Sequence, residues 1–175
     1  MKRISSQEIA LSAISCAFAT IMMTVGTLYT PLLFTGYLFA CAALMLPLAK
    51  KYYVGCGLAY IASFTLTMIF NGFNFFDTMP YIVFFGLHPL VNGLQQKYGW
   101  NRYVSAAVKA AWFDAAMYAV WRFTFGMNTA IPFIDKYILP IILIAGTAFF
   151  LVYDYAMFRC QKQVDFTVDR FLPKR

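Results

Sequence analysis

Ile9–Tyr29, IALSAISCAFATIMMTVGTLY, carries no charged side chain, and its reading decides the fold. As a helix rising about 1.5 Å per residue it reaches about 30 Å, the thickness of a bilayer's hydrocarbon core. Lys2 and Arg3 ahead of it, with Ala17-Phe18-Ala19 inside it, imitate a cleavable leader. The apolar run continues to Tyr29, however, and exceeds the about 7–15 residues of a leader's apolar region. Cys16 does not suit a lipoprotein signal either, because Ala13 stands where that motif wants Leu. The expectation is an uncleaved first membrane span.

The remaining chain repeats the pattern. Further spans are expected near residues 32–48, 54–71, 80–96, 103–125 and 137–158. The breaks between them carry turn chemistry at Thr30-Pro31, Lys50-Lys51, Asn71-Gly72-Phe73-Asn74, Gly99-Trp100-Asn101 and Gly126-Met127-Asn128. Hydrophobic residues make up 62% of the 175, and charged residues only 12%. That leaves too few polar side chains to coat a soluble core of this size. The fold class expected is an all-α integral membrane protein, a single bundle of about six transmembrane helices over residues 1–175.

Lys and Arg set the orientation. Eleven of the fourteen lie at the N-terminus (Lys2, Arg3), in the second loop (Lys50, Lys51), in the fourth (Lys97, Arg102) and in the tail (Arg159, Lys162, Arg170, Lys174, Arg175). The other three are Arg122 and Lys136, at the margins of odd-numbered loops, and Lys109 within a span. Both termini are therefore expected in the cytoplasm of a bacterial cell, with the chain multi-pass in the plasma membrane. The net charge of +7 is then topological, with the basic tail against anionic lipid, and nucleic acid is not an expected partner.

Chemistry-bearing motifs are few. Cys16, Cys41, Cys56 and Cys160 show no C-x-x-C and no zinc spacing, and read as small apolar residues. No G-x-x-x-x-G-K-[ST] loop is present, so ATP hydrolysis by that route is excluded. His88, before Pro89, reads as a structural hydrogen bonder. No Ser-His-Asp set or carboxylate pair falls at useful spacing; no catalytic residue, metal or cofactor is assigned. Lys109 is expected to snorkel to the inner surface.

Two features stand out. On the first helix Ala10, Ala13 and Ala17 recur with Ser12, Ser15, Cys16 and Ala19. Ala13-x-x-x-Ala17 is a small-xxx-small pair that allows another helix to approach, whether from a partner or from this chain's own bundle. On the fifth span Asp114, Tyr118, Trp121, Arg122 and Phe125 fall within about a 100° arc at 100° per residue. Charge at such depth faces protein or a water-filled cavity. One reading is a structural network, with Asp114 bonded to His88 or a tyrosine and Arg122 reaching outward. The other is an outward-facing pocket in which the aromatic rings stack on a solute and Arg122 or Asp114 fixes a polar group. Polar outer loops offer Thr27, Tyr29, Thr35 and Tyr37, then Asn71, Asn74, Asp77 and Tyr81, then Asn128, Asp135 and Lys136. Tyr37 and Asn74 join the helix residues as candidate solute contacts.

The small size, six expected spans with both ends inside, the Ala13-x-x-x-Ala17 pair and the run Leu46-Pro47-Leu48-Ala49-Lys50-Lys51-Tyr52-Tyr53-Val54-Gly55 give a resemblance over most of the chain. It resembles the substrate-binding S components of energy-coupling factor (ECF) transporters. That resemblance implies a membrane-embedded binder of a vitamin-like solute near the outer face. It also implies a membrane T subunit that grips the first helix at Ala13 and Ala17, and two ATPase subunits encoded elsewhere. A membrane scaffold resembling the cell-shape protein MreD, or a small lipid-modifying enzyme, are the alternatives.

Overall fold

A computed structural model of the chain describes residues 5–124, 126 and 132–172. Among the described residues all regular structure is helical. Helix α1 (Ser6–Leu28) starts at Ser5, whose Oγ accepts from the Glu8 backbone N–H at 3.1 Å. That bond meets one of the donors a helix start leaves without a partner. A 3-10 turn over Thr30–Leu32 with Pro31 at its start leads into α2 (Leu33–Ala49). After Lys51, in the left-handed region at φ 60°, α3 (Tyr53–Phe70) returns. The Asn71–Asn74 break turns through two consecutive left-handed residues, Gly72 and Phe73.

The span expected at 80–96 is a longer, broken rod: α4 (Phe75–Pro80), a π turn (Tyr81–Phe85) and α5 (His88–Tyr98). Gly99, at φ 65°, ends it in the left-handed cap that glycine adopts without strain. Helix α6 (Arg102–Thr124) follows, then two short helices, α7 (Pro132–Lys136) and α8 (Ile138–Pro140). A second π turn (Ile141–Gly146) leads into α9 (Thr147–Phe171), which runs well beyond the expected limit at residue 158. Each π turn begins immediately after a proline, Pro80 or Pro140. A proline ring displaces the carbonyl four residues back, and a wider turn accommodates the lost bond.

Among the described residues four helices are long and apolar enough to cross a membrane: Ser6–Leu28, Thr30–Ala49, Tyr53–Phe70 and Ile138–Phe171. The other two expected spans do not qualify by length and composition. One is the broken rod, and the other, α6, has Lys109 and Asp114 in its middle. Large apolar side chains point outward on several helices, among them Ile14 (58% exposed), Leu58 (55%), Val108 (65%) and Val152 (70%). A bilayer covers such a belt without cost; water does not.

Helix α1 packs along α2 and α3, and α2 along α9. The α1–α2 crossing is close because Gly36 faces Gly26. A Cβ on Gly36 would stand 2.7 Å from the Met22 carbonyl oxygen. The centre of the bundle is aromatic. Phe84, fully buried in the first π turn, has its ring centroid 4.7 Å from that of Trp112, 4.9 Å from Phe113, 6.0 Å from Phe150 and 6.1 Å from Tyr153.

Candidate functional site

The expected pocket residues separate into two groups on neighbouring elements, since α4 packs against α6. On α6 the Tyr118 and Trp121 rings lie 5.6 Å apart, and Trp121 Nε1 donates to Asp135 Oδ1 on α7 at 3.2 Å. One turn deeper, Asp114 Oδ2 accepts from the Thr147 hydroxyl at the start of α9 at 2.8 Å. Asp114 Oδ1 is buried without a hydrogen-bond partner. Arg122 is exposed. Phe125 and Asn128 lie outside the described residues.

The second group centres on Asp77. Tyr37 is buried, stacked on Phe85 at 5.3 Å, and its hydroxyl donates to the Asp77 carbonyl at 2.6 Å. Asn74 caps α4: its side-chain oxygen accepts from the Asp77 N–H at 3.5 Å and its amide donates to Asp77 Oδ2 at 2.6 Å. Tyr37 and Asn74 thus have protein partners that fix the α3–α4 corner, whereas Trp121, Tyr118 and Asp114 line the junction of α6 with α7 and α9.

A polar cluster that sequence reasoning missed lies towards the other end of the bundle. Asp154 Oδ1 accepts from Lys109 Nζ at 2.5 Å and from His88 Nε2 at 2.9 Å. Lys109 Nζ also donates to Asn92 Oδ1 at 2.8 Å and lies 4.9 Å from the centroid of the Phe158 ring. All four hydrogen-bonding residues are nearly inaccessible: His88 is 0% exposed, Lys109 3%, Asn92 5% and Asp154 8%.

Three expectations are corrected by this geometry. Lys109 does not snorkel; its ammonium is neutralised by a carboxylate inside the bundle. His88 bonds Asp154 rather than Asp114. A histidine and an aspartate 66 residues apart are brought together, where no such grouping was expected. A signal was present in the spacing His88-x3-Asn92-x2-Gln95, which places three polar side chains on one face of α5. His88 Nδ1, Asn92 Nδ2 and Gln95 Oε1 are buried without hydrogen-bond partners.

Chemically, the cluster is an ion pair with a histidine attached. It ties α5, α6 and α9 together. No Ser or Cys among the described residues is hydrogen-bonded to His88, so the arrangement is not that of a nucleophilic triad. Among the described residues no three His, Cys, Asp or Glu side chains are placed to hold a metal ion. Cys41 and Cys56 are buried thiols that donate to the Phe85 and Leu44 carbonyls, and Cys16 and Cys160 are half-buried.

The chain matches no family model, no curated protein and no solved structure. Its function is therefore read from its own geometry.

On α1 that geometry is informative. The buried face is Leu11, Ser15, Ala19, Thr20, Met23 and Gly26. Ala10, Ala13 and Ala17 are exposed, in the same stripe as Ile14, Phe18 and Ile21. Packing within the bundle therefore does not account for the Ala13-x-x-x-Ala17 pair. The small residues that admit a close helix inside the chain are others, Gly26 and Gly36.

Proposed function

We propose that the chain is the solute-binding subunit of an uptake transporter of the ECF type, embedded in the bacterial plasma membrane by six passes with both ends in the cytoplasm. The observation that carries this reading is the outward alanine stripe of α1. A helix facing only lipid needs no small side chains, whereas a second helix approaching closely does. Ala13 and Ala17 are the docking seam for a membrane T subunit, which couples the chain to two ATPases.

In this reading the broken rod of α4 and α5 is the fourth pass and α6 the fifth. The alternation of Lys and Arg between loops supports the orientation. The solute, a vitamin-like small molecule, is held at the outer end by Trp121, Tyr118, Arg122 and Phe125, with Asp114 at the base and the Tyr37–Asn74 corner as one wall.

Ala13→Leu and Ala17→Leu test the reading directly. Co-expressed with the host's T and ATPase subunits, both variants should fail to co-purify with them and should lose uptake. Melting temperature and solute retention by the isolated chain should be unchanged, since both positions are exposed. Purified protein, denatured and analysed for what it releases, should yield a small molecule. A scaffold would release none, and its assembly would not depend on these two alanines.

A further inference from the structure

A cleft of about 640 Å³ opens where the C-terminus of α5, the start of α6 and the middle of α9 meet. Arg102, Arg159 and Lys162 line it with Gln95, Trp100 and Tyr155, and its lining contains no Asp or Glu. None of these three cations takes part in the ion pairs found among the described residues. Arg159 is held in place: its Nε and Nη2 donate to the Tyr155 hydroxyl at 3.0 and 2.7 Å. Lys162 follows three residues later, on the same face of α9.

A second cleft of about 370 Å³ runs between α5 and α6. Val91, Val104 and Val108 form its walls, and it shares Gln95 and Trp100 with the first. A cationic cavity therefore continues into an apolar groove on the outside of the bundle. Gln95 stands at the junction. It is 6% exposed, and its Oε1 lacks a hydrogen-bond partner, an acceptor that a ligand hydroxyl would satisfy. At the rim Trp100 stacks on Tyr98 at 5.8 Å, both exposed, the aromatic pairing typical of a membrane–water boundary.

We propose that the two clefts together bind one anionic glycerophospholipid from the leaflet this end of the bundle faces. The phosphate sits among Arg102, Arg159 and Lys162, an acyl chain follows Val104 and Val108, and a hydroxyl of a phosphatidylglycerol headgroup donates to Gln95, which also lines the cationic cleft. Three cations in a lining that holds no carboxylate select a negative headgroup over a zwitterionic one. A free phosphate would leave the valine groove without a function. The inference rests on the reading that the chain lies in a membrane, but not on the identity of its solute or its partner subunits.

Native mass spectrometry of the full chain in detergent, titrated with phosphatidylglycerol or with phosphatidylcholine of the same acyl chains, tests it. One phosphatidylglycerol per chain should be retained in preference to phosphatidylcholine. The combined Arg102→Gln, Arg159→Gln and Lys162→Gln variant should lose roughly a hundredfold in that retention, the scale of three headgroup-facing cations. Lys51→Gln with Lys97→Gln, two cations of a neighbouring cleft, should change nothing. Equal loss in that control, or full retention by the triple variant, would overturn the site. So would displacement of the lipid by millimolar inorganic phosphate, which would make it a site for a free anion. A chain that stays soluble without detergent would instead overturn the membrane reading itself. A triple variant that loses lipid yet still transports solute leaves the functional reading standing.

Discussion

Asp154 joins α9 to both α5 and α6. It neutralises a lysine that is 3% exposed and meets a histidine that water does not reach. Removing one partner of such a pair leaves the other charged and buried, a loss of about 3–5 kcal/mol. Asp154→Asn should therefore lower the melting temperature steeply. Joining it to Lys109→Gln, which makes the pair neutral but still hydrogen-bonded, should restore most of the loss. Thermal melting of the three proteins in one detergent decides it: no rescue in the double variant would mean that the charges themselves are needed. In the proposed solute site Arg122→Ala should remove a charge-assisted hydrogen bond, about 1.5–3 kcal/mol, or roughly a ten- to hundredfold loss of affinity. Trp121→Ala should cost a similar amount. Asp114→Ala should act differently, because its carboxylate accepts from Thr147 and joins α6 to α9. It should lower stability with no solute present. Unchanged solute affinity in both the Arg122 and the Trp121 variants would place the site elsewhere.

At the scale of elements, the first three helices and α6 were legible to within about three residues, because long apolar runs bounded by Pro, Gly, Asn or Lys pairs leave little choice of end. The fourth and sixth expected spans were not. Both contain prolines, and nothing local distinguishes a proline that ends a helix from one that opens a wider turn. The arc of Asp114, Tyr118 and Trp121 on α6 was expected from periodicity within one helix. The His88–Lys109–Asp154 cluster was not, because it is assembled from three helices and depends on which faces meet. Gly86 shows how tight the break in the rod is. A Cβ there would come within 2.6 Å of the Tyr60 ring, whose hydroxyl is itself held by the Ile82 carbonyl at 2.6 Å. Gly86→Ala should thus cost about 1–3 kcal/mol through displacement of that ring. Gly57→Ala, with open space around its position, serves as the control and should not destabilise the chain.

For the whole molecule, the decisive measurement is which end faces outward. Asn74→Cys, at an exposed corner, should react with an impermeant thiol reagent added to intact cells in a background lacking the native cysteines. Cysteines at the exposed positions Gln96 and Gln163 should react only after the membrane is opened. Labelling of Gln163→Cys from outside would invalidate the proposed six-pass topology. The far end of the molecule is also tied down: Lys50, between α2 and α3, bonds Asp169 at 2.6 Å and the Leu172 carbonyl near the end of α9. The bundle is thus fastened at both ends and in its buried middle, while the alanine stripe of α1 lies apart from all three fastenings.

The two π turns have a bearing on how such a chain changes over generations. A wide turn holds one residue more than an α-turn, so it amounts to a single-residue insertion absorbed inside a helix. Everything beyond it is rotated by about 100° relative to an unbroken helix. His88, Asn92 and Gln95 follow the first of these insertions, and Asp154 follows the second. Each therefore points where it does by virtue of a residue that touches none of them. The two halves of each of these rods are out of phase with one another, so the half before the turn can be re-aimed by gaining or losing one residue at the seam while the buried ion pair keeps its register.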